Sequence, residues 1–376
     1  MSQEKKLRIA IFVSYAYPYV GSGLGQVAIT QAEGLAKLGH EVVLISSNIP
    51  ATKKRFKKNG VLHIKLDSTN FLDKFQIPVP LFLLNGEVLR RIKYADVVHA
   101  HDMLYPSSLQ AALAAKIFRK PFVLTQHAGF ISYPSQVINF LQLLTNRTLG
   151  RFVLDLSDEI IVVNEEVKNW LRTNGKSVVT LMNGVNTHFF YPASEKRKRQ
   201  IRKKYGLPVN KKIVLYVGRL VEKKGFHRLY DARSNDYLTV MVGGGKVPES
   251  MAVDAGKVLF LGTLPQKKLS EIYQASDVFI LPSDCEGFPL SIQEAMASGL
   301  PIITSNHPGF DRYLDRRFVK FINPTSDEIR DAILQVLNDK KTRDAMIDYS
   351  LRTTTAKESW EKNVTGLLEI YHRTIK

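Results

Sequence analysis

The chain of 376 residues contains one cysteine, Cys285, so no disulfide can form within it. Such scarcity is typical of reducing compartments. No apolar run approaches the ~20 residues that a membrane-spanning helix requires, and no signal-peptide pattern opens the sequence. A cytoplasmic address is therefore expected. No Asp-Xaa-Asp triplet occurs anywhere, so the short acidic motif that commonly holds a divalent cation is missing. Acidic residues are scarce overall: 35 Asp and Glu stand against 53 Lys and Arg, a net charge of +18. An excess of this size implies an anionic partner. Otherwise, 44% hydrophobic and 23% charged residues describe a soluble globular protein, long enough for two cores.

The most informative segment runs from Ser283 to Pro301. The apolar run Val278 to Leu281 reads as a buried strand, and the Ala-, Met- and Gln-containing stretch after Pro289 reads as a helix that Gly299 ends. A helix N-terminus then follows the carboxyl end of a strand. Pro289 suits the first helical position, and the amides of Leu290 and Ser291 are left pointing outward at the positive end of the helix dipole. Such a place attracts phosphate. Glu286 precedes the helix and Glu294 lies in its second turn, so two carboxylates flank one anion site. Carboxylates repel phosphate but accept hydrogen bonds from hydroxyls, and a nucleotide-sugar has a diphosphate between two polyols. The alternative is a solvated Glu pair on an ordinary surface helix.

With seven residues between them, Glu286 and Glu294 resemble the E-x7-E motif of retaining glycosyltransferases of the GT-B fold, and the surrounding sequence resembles glycosyltransferase family 4 (GT4). Phe288 and Pro289 match the family's wording of this loop. The resemblance implies that the amides of Leu290 and Ser291 hold the β-phosphate, that Glu286 meets the donor sugar and that Glu294 meets the ribose. It also implies an α/β fold of two Rossmann-like parallel-sheet domains facing a central cleft, with a C-terminal helix crossing back onto the first.

Upstream, Ile213 to Val217 reads as a strand, Gly218 as a turn, and Arg219 and Lys224 project from the following loop. A guanidinium fork and a compact ammonium suit a diphosphate leaving group. The segment resembles the family's G-R-x-x-x-x-K-G pattern, whose spacing favours Lys224 over Lys223. Further along, Gly243-Gly-Gly245, centred on Gly244, and Phe260-Leu-Gly-Thr263, with Leu261, are expected to line the nucleotide, whether UDP or GDP.

The N-terminal third opens as a βαβ unit: strand Leu7 to Val13, a glycine-rich turn from Tyr17 to Gly25, a helix Ala28 to Leu38, and strand Glu41 to Ser46. Gly23, Gly25 and Ala28 fit a loose dinucleotide fingerprint. No acidic residue ends the second strand to hold a ribose, so that reading is set aside. Counting back from Gly39-His40 aligns the family's Gly-Gly pair with Ser22 and Gly23, which leaves Gly23 to contact the donor phosphate and Ser22 on the acceptor side.

His99 and His101 alternate onto one face of a strand that ends at Asp102. Two imidazoles so spaced could begin a metal site, but no further ligands follow at a sensible spacing, and no metal is expected. His127 ends the strand Pro121 to Gln126. The resemblance places a histidine here beside the donor sugar near its 6-hydroxyl, making His127 the catalytic-centre candidate and His101 an acceptor-side residue. Cys285 reads as a small packing residue.

Asn183-Gly-Val-Asn186 resembles the family's N-G-V-D segment and marks the join. The expected domains are 1–187 (acceptor side), 188–355 (nucleotide-sugar binding) and 356–376, a tail helix with Trp360, Val364, Leu367, Leu368 and Tyr371 on one face. The cluster Lys53, Lys54, Arg55, Phe56, Lys57 and Lys58 surrounds one aromatic with five positive charges, and Phe71, Phe75 and residues 77–84 add apolar side chains. Such a combination suits an anionic membrane, with Phe56 inserting, or else a solvated basic face. Three readings follow. The first is a metal-independent retaining hexosyltransferase without cofactor, peripheral at the inner face of the cell membrane and acting on a lipid or lipid-linked acceptor. The second keeps the chemistry with a soluble or polysaccharide acceptor. The third, a basic nucleic-acid-binding module, explains the charge but not the Glu spacing, and no nucleic-acid motif is present.

Overall fold

The apolar run at the start of the chain shows no period-two alternation, and in the structure it is a strand buried on both faces, as in parallel sheets with helices on each side. The structure is a computed structural model that describes residues 6–16, 23–49, 51–72, 77–80, 85–130, 135–171, 173, 175–251, 256–284, 289–306, 310, 313–357 and 359–375. Two compact units result, one from residues 1–183 together with 360–376, the other from 184–359.

In the first unit the strands are β1 (Arg8–Phe12), β2 (Glu41–Ser47), β3 (Arg55–Lys58), β4 (Val61–Leu66), β5 (Ser68–Leu72), β6 (Ile77–Pro80), β7 (Val97–His101), β8 (Phe122–Gln126), β9 (Glu159–Val162) and β10 (Val178–Thr180). Eight of them form a sheet in the order β10-β9-β8-β7-β1-β2-β4-β3, while β5 and β6 pair separately. All pairings in the large sheet are parallel except that of edge strand β3 with β4. Apolar cores cover both faces.

The second unit holds β11 (Lys212–Val217), β12 (Tyr237–Val242), β13 (Val258–Phe260), β14 (Val278–Leu281), β15 (Ile302–Ser305) and β16 (Lys320–Ile322), parallel throughout in the order β13-β12-β11-β14-β15-β16.

The first helix spans Gly23–Lys37, so Gly23 and Gly25 lie in its first turns rather than in the preceding loop; residues 17–22, Ser22 included, lie outside the described residues. The tail helix Trp360–Ile375 buries Val364, Leu367, Leu368 and Tyr371 in a core of the first unit. Asn363 fixes its register by accepting from Gln31 Nε2 at 2.9 Å and donating to the Met182 carbonyl at 2.7 Å. Within the second unit, Val185 and Ser359 form an isolated parallel bridge.

Candidate active site

In an open parallel sheet, ligands bind beyond the carboxyl ends of the strands where neighbouring connections run to opposite sides. In the second unit that point lies between β11 and β14, because β11 leads to β12 on one side while β14 sits on the other. The loops after these two strands contain most of the residues singled out from sequence. Asp284 N–H donates to the Lys223 carbonyl at 2.8 Å, and Arg228 Nη2 donates to Pro282 O at 3.2 Å and Asp284 Oδ1 at 2.6 Å. Gly225 ends the turn that contains Lys224 at φ +70°, where a Cβ would fall 2.0 Å from the Pro282 carbonyl oxygen. Only glycine permits that approach, and it fixes Lys224 beside the β14 loop.

The third loop joins in the same way. Gly218 N–H donates to Val242 O at 3.0 Å, and Leu220 N–H to Gly244 O at 2.8 Å. At Gly243, φ is +152° and a Cβ would lie 1.8 Å from the Gly218 carbonyl oxygen. Gly243 N–H reaches Gly262 O at 2.9 Å, and Leu261 N–H reaches Met241 O at 2.9 Å. Gly218, Arg219, Lys224, Gly244 and Leu261 thus gather at the carboxyl ends of neighbouring strands of one sheet, with Arg219 and Lys224 partly buried.

The helix after β14 spans Leu290–Ala297. Pro289 stands one position outside it as the N-cap, its carbonyl accepting from Ile292 and Gln293, so the Leu290 and Ser291 amides precede the first intrahelical bond. Among the described residues, no side chain caps this terminus. Burial pushes the Glu294 carboxyl from 4.5 up to about 7. Its Oε2 accepts from the fully buried Tyr273 hydroxyl at 2.9 Å, which also faces Ser291 O at 3.2 Å. Tyr273 was not legible as a site residue; its sequence signal is only a helical Tyr before the motif strand. Cys285, Glu286 and Phe288 lie outside the described residues.

In the first unit the corresponding split lies between β1 and β7. His101 ends β7 and His127 follows β8; His101 Nδ1 is 2.8 Å from His127 Nε2, and the rings stack at 5.1 Å. His99 is a core residue, held by Thr125 Oγ1 and the Tyr371 hydroxyl, each at 2.7 Å. Burial lowers all three imidazoles, His127 to about 4 and His99 to about 3, so they are neutral at pH 7. Asp102, which sequence reading passed over, takes φ +70°, and burial raises its carboxyl to about 7. Gln126 holds it, donating to Oδ1 at 2.7 Å while accepting from Met103 N–H at 3.0 Å. Its only sequence signal is an Asp directly after His-Ala-His at a strand end. At Gly23, none of the described residues lies within 4 Å of where a Cβ would project.

In the basic cluster, Arg55, Phe56, Lys57 and Lys58 form edge strand β3, and the Phe56 ring stacks on His63 at 4.5 Å and 6°. The Phe56 ring is half-buried in this stack. Lys54 pairs with Asp67 at 2.6 Å and Arg55 with Glu87 at 3.2 Å. Residues 73–76 and 81–84 lie outside the described residues.

Two family descriptions match the chain, Glycosyltransferase Family 4 over residues 21–189 and Glycosyl transferases group 1 over residues 197–353. The putative teichuronic acid biosynthesis glycosyltransferase TuaC of Bacillus subtilis (strain 168) is 26% identical, covering 97% of this chain and 98% of its own length. Sucrose-phosphate synthase from Thermosynechococcus elongatus superposes with a TM-score of 0.79 at 20% identity, covering 97% of this chain and 98% of that one. Anabaena Alr3699/HepE in complex with UDP-glucose gives a TM-score of 0.74 at 16% identity, covering 98% of this chain and 100% of that one. The structural likenesses show the GT-B fold, and the family matches replace the nucleic-acid-module alternative. With two matched regions that span most of its length, the chain belongs to the glycosyltransferases of family 4.

Proposed function

We propose that this enzyme transfers a hexosyl group from a UDP- or GDP-sugar to a hydroxyl of a lipid or lipid-linked acceptor at a membrane surface, with retention of anomeric configuration and without a metal ion. The observation that supports this best is the convergence of Gly218, Arg219, Lys224, Gly244 and the helix start at Leu290 on the switch point of one sheet. The Leu290 and Ser291 amides take the β-phosphate, and Arg219 and Lys224 stabilise the charge that develops on the departing diphosphate. Glu294 accepts from the ribose and Glu286 from the sugar. His127 is neutral and its Nε2 engages His101, so Nδ1 is the nitrogen that meets the sugar. The bond from the anomeric carbon to the β-phosphate oxygen breaks as the acceptor oxygen bonds to the same face, and the acceptor proton passes to the leaving phosphate. Arg219 and Lys224 do the electrostatic work that a cation does elsewhere, in keeping with a sequence lacking Asp-Xaa-Asp.

The membrane-side acceptor is supported by the net charge of +18, since each exposed cation near an anionic leaflet contributes roughly 1 kcal/mol. Among the described residues no helix is long and apolar enough to cross a membrane. A thermal-shift screen of nucleoside diphosphates and their sugars in EDTA tests the donor assignment. A donor at about 100 times its Kd adds about 2.7 kcal/mol of stability. No shift with any uridine or guanosine ligand would overturn the reading.

A further inference from the structure

In the first unit, one helical stretch faces its apolar side outward. The helix Gln136–Thr145, a π-turn Asn146–Gly150 and the helix Arg151–Leu156 follow one another without a gap, and the first of these has no buried residue. Its outer face presents Val137, Phe140, Leu141 and Leu144 at the i, i+3, i+4, i+7 spacing of one stripe. These are 68%, 65%, 52% and 49% exposed, and Leu149 and Phe152 extend the apolar surface. Only Gly150, Val153 and Leu154, at the far end, are buried. A patch this continuous marks an interaction surface.

Charge selects the partner. Residues 136–156 carry Arg147 and Arg151 against a single acid, Asp155, which pairs with Arg151 at 2.8 Å, so the element has a small positive excess in a chain of net charge +18. A second copy would bring the same excess of positive charge to this face, whereas an anionic bilayer offers opposite charge above an apolar interior. We propose that residues 136–156 form an interfacial helix lying in the headgroup layer of an anionic membrane, with Val137, Phe140, Leu141 and Leu144 entering the acyl boundary.

The proposal rests on the membrane-side reading above and assigns it to a specific element. That element is tied to the acceptor-side histidines. A Cβ at Gly150 would come within 3.1 Å of Met103 Cε and 3.2 Å of Leu104 Cδ2, so the π-turn packs directly on the residues that follow His101 and Asp102. A membrane-bound helix thereby holds that end of the sheet near lipid. Strand β3, with its basic side chains, lies at the far edge of the same sheet.

Co-sedimentation of the full chain tests this, using vesicles of phosphatidylcholine alone and of an equal mixture with phosphatidylglycerol. Wild type is expected to bind the mixed vesicles. The triple variant F140S/L141S/L144S should bind them at least about a hundredfold more weakly, at roughly fivefold or more per lost side chain. Its melting temperature and UDP affinity should be unchanged, because the three side chains are exposed. Phe140→Trp should gain a blue-shifted emission component on the anionic vesicles.

Equal binding by wild type and the triple variant, with loss only when the five basic residues from Lys53 to Lys58 are changed to Ser, would overturn the helix assignment and leave the membrane reading standing. No binding by wild type would remove the membrane reading itself. A wild-type dimer that the triple variant converts to monomer, without vesicle binding, would show that a second copy covers this face and would also overturn the proposal.

Discussion

Tyr273→Phe removes one oxygen atom from a fully buried position and leaves the ring packed edge-on against Phe190 at 5.4 Å. The lost hydroxyl is the donor to Glu294. Hydrogen bonds to an ionised acceptor are roughly twice as strong as those to a neutral one, a difference of about 1 to 1.5 kcal/mol. That difference corresponds to about one pKa unit. Glu294 already titrates at about 7 because burial disfavours its charged form, and the tyrosine is the group that lowers it. Without the hydroxyl the carboxyl should titrate at about 8. A ribose hydroxyl donates more strongly to carboxylate than to carboxylic acid, so UDP or GDP affinity should rise with pH through the Glu294 transition. At pH 7 about half the wild-type carboxyl is ionised but only about a tenth in the variant, so the variant should bind about fivefold more weakly. Near pH 9 the gap should nearly close. Calorimetric titration of the nucleotide from pH 5.5 to 9 reads both midpoints, and comparing the two proteins cancels the ionisation of the nucleotide's own phosphate. Coincident midpoints, or a deficit that persists unchanged at pH 9, would refute the coupling of Tyr273 through Glu294 to the ribose.

Arg219→Ala and Lys224→Ala should each lower kcat by about a hundredfold or more while leaving nucleoside monophosphate affinity within about twofold, since both are assigned to charge that develops on the diphosphate; steady-state kinetics with parallel calorimetry checks this. Gly243→Ala should cost at least about 3 kcal/mol and lower the melting temperature, because the new methyl meets the Gly218 carbonyl at 1.8 Å on a backbone that side chains avoid. Glu294→Gln should remove the Glu294 transition near pH 7 and leave only the pH dependence of the nucleotide's own phosphate, read in the same titrations as for Tyr273→Phe.

The parallel strands were legible because they are unbroken apolar runs, as with the Ile213 to Val217 segment, and the tail helix because Val364, Leu367, Leu368 and Tyr371 share one stripe. Arg219, Lys224 and the Pro289 to Glu294 segment were legible because spacing along one loop or one helix turn is local information. Tyr273 and Asp102 were not. The first reaches Glu294 across the packing of two helices, and the second stands out only through a left-handed backbone and the grip of Gln126 from the neighbouring strand. The stacking of Phe56 was hidden for a related reason. Its basic neighbours alternate outward along an edge strand, while its own ring turns onto His63, a partner seven residues away across the β3–β4 pairing. The outward stripe on helix Gln136–Thr145 has the same periodicity as a core-facing one, so sequence alone cannot tell which way it points.

Retention without a metal ion is the central chemical claim, and the anomeric configuration of the first product tests it most directly. The enzyme would be incubated in EDTA with an α-linked UDP- or GDP-hexose and a lipid-linked acceptor, and the new glycosidic linkage read by the anomeric proton coupling before any mutarotation. The account predicts an α-linked product at a rate unaffected by added magnesium or manganese. A β-linked product, or turnover that appears only when a divalent cation is restored, would contradict it.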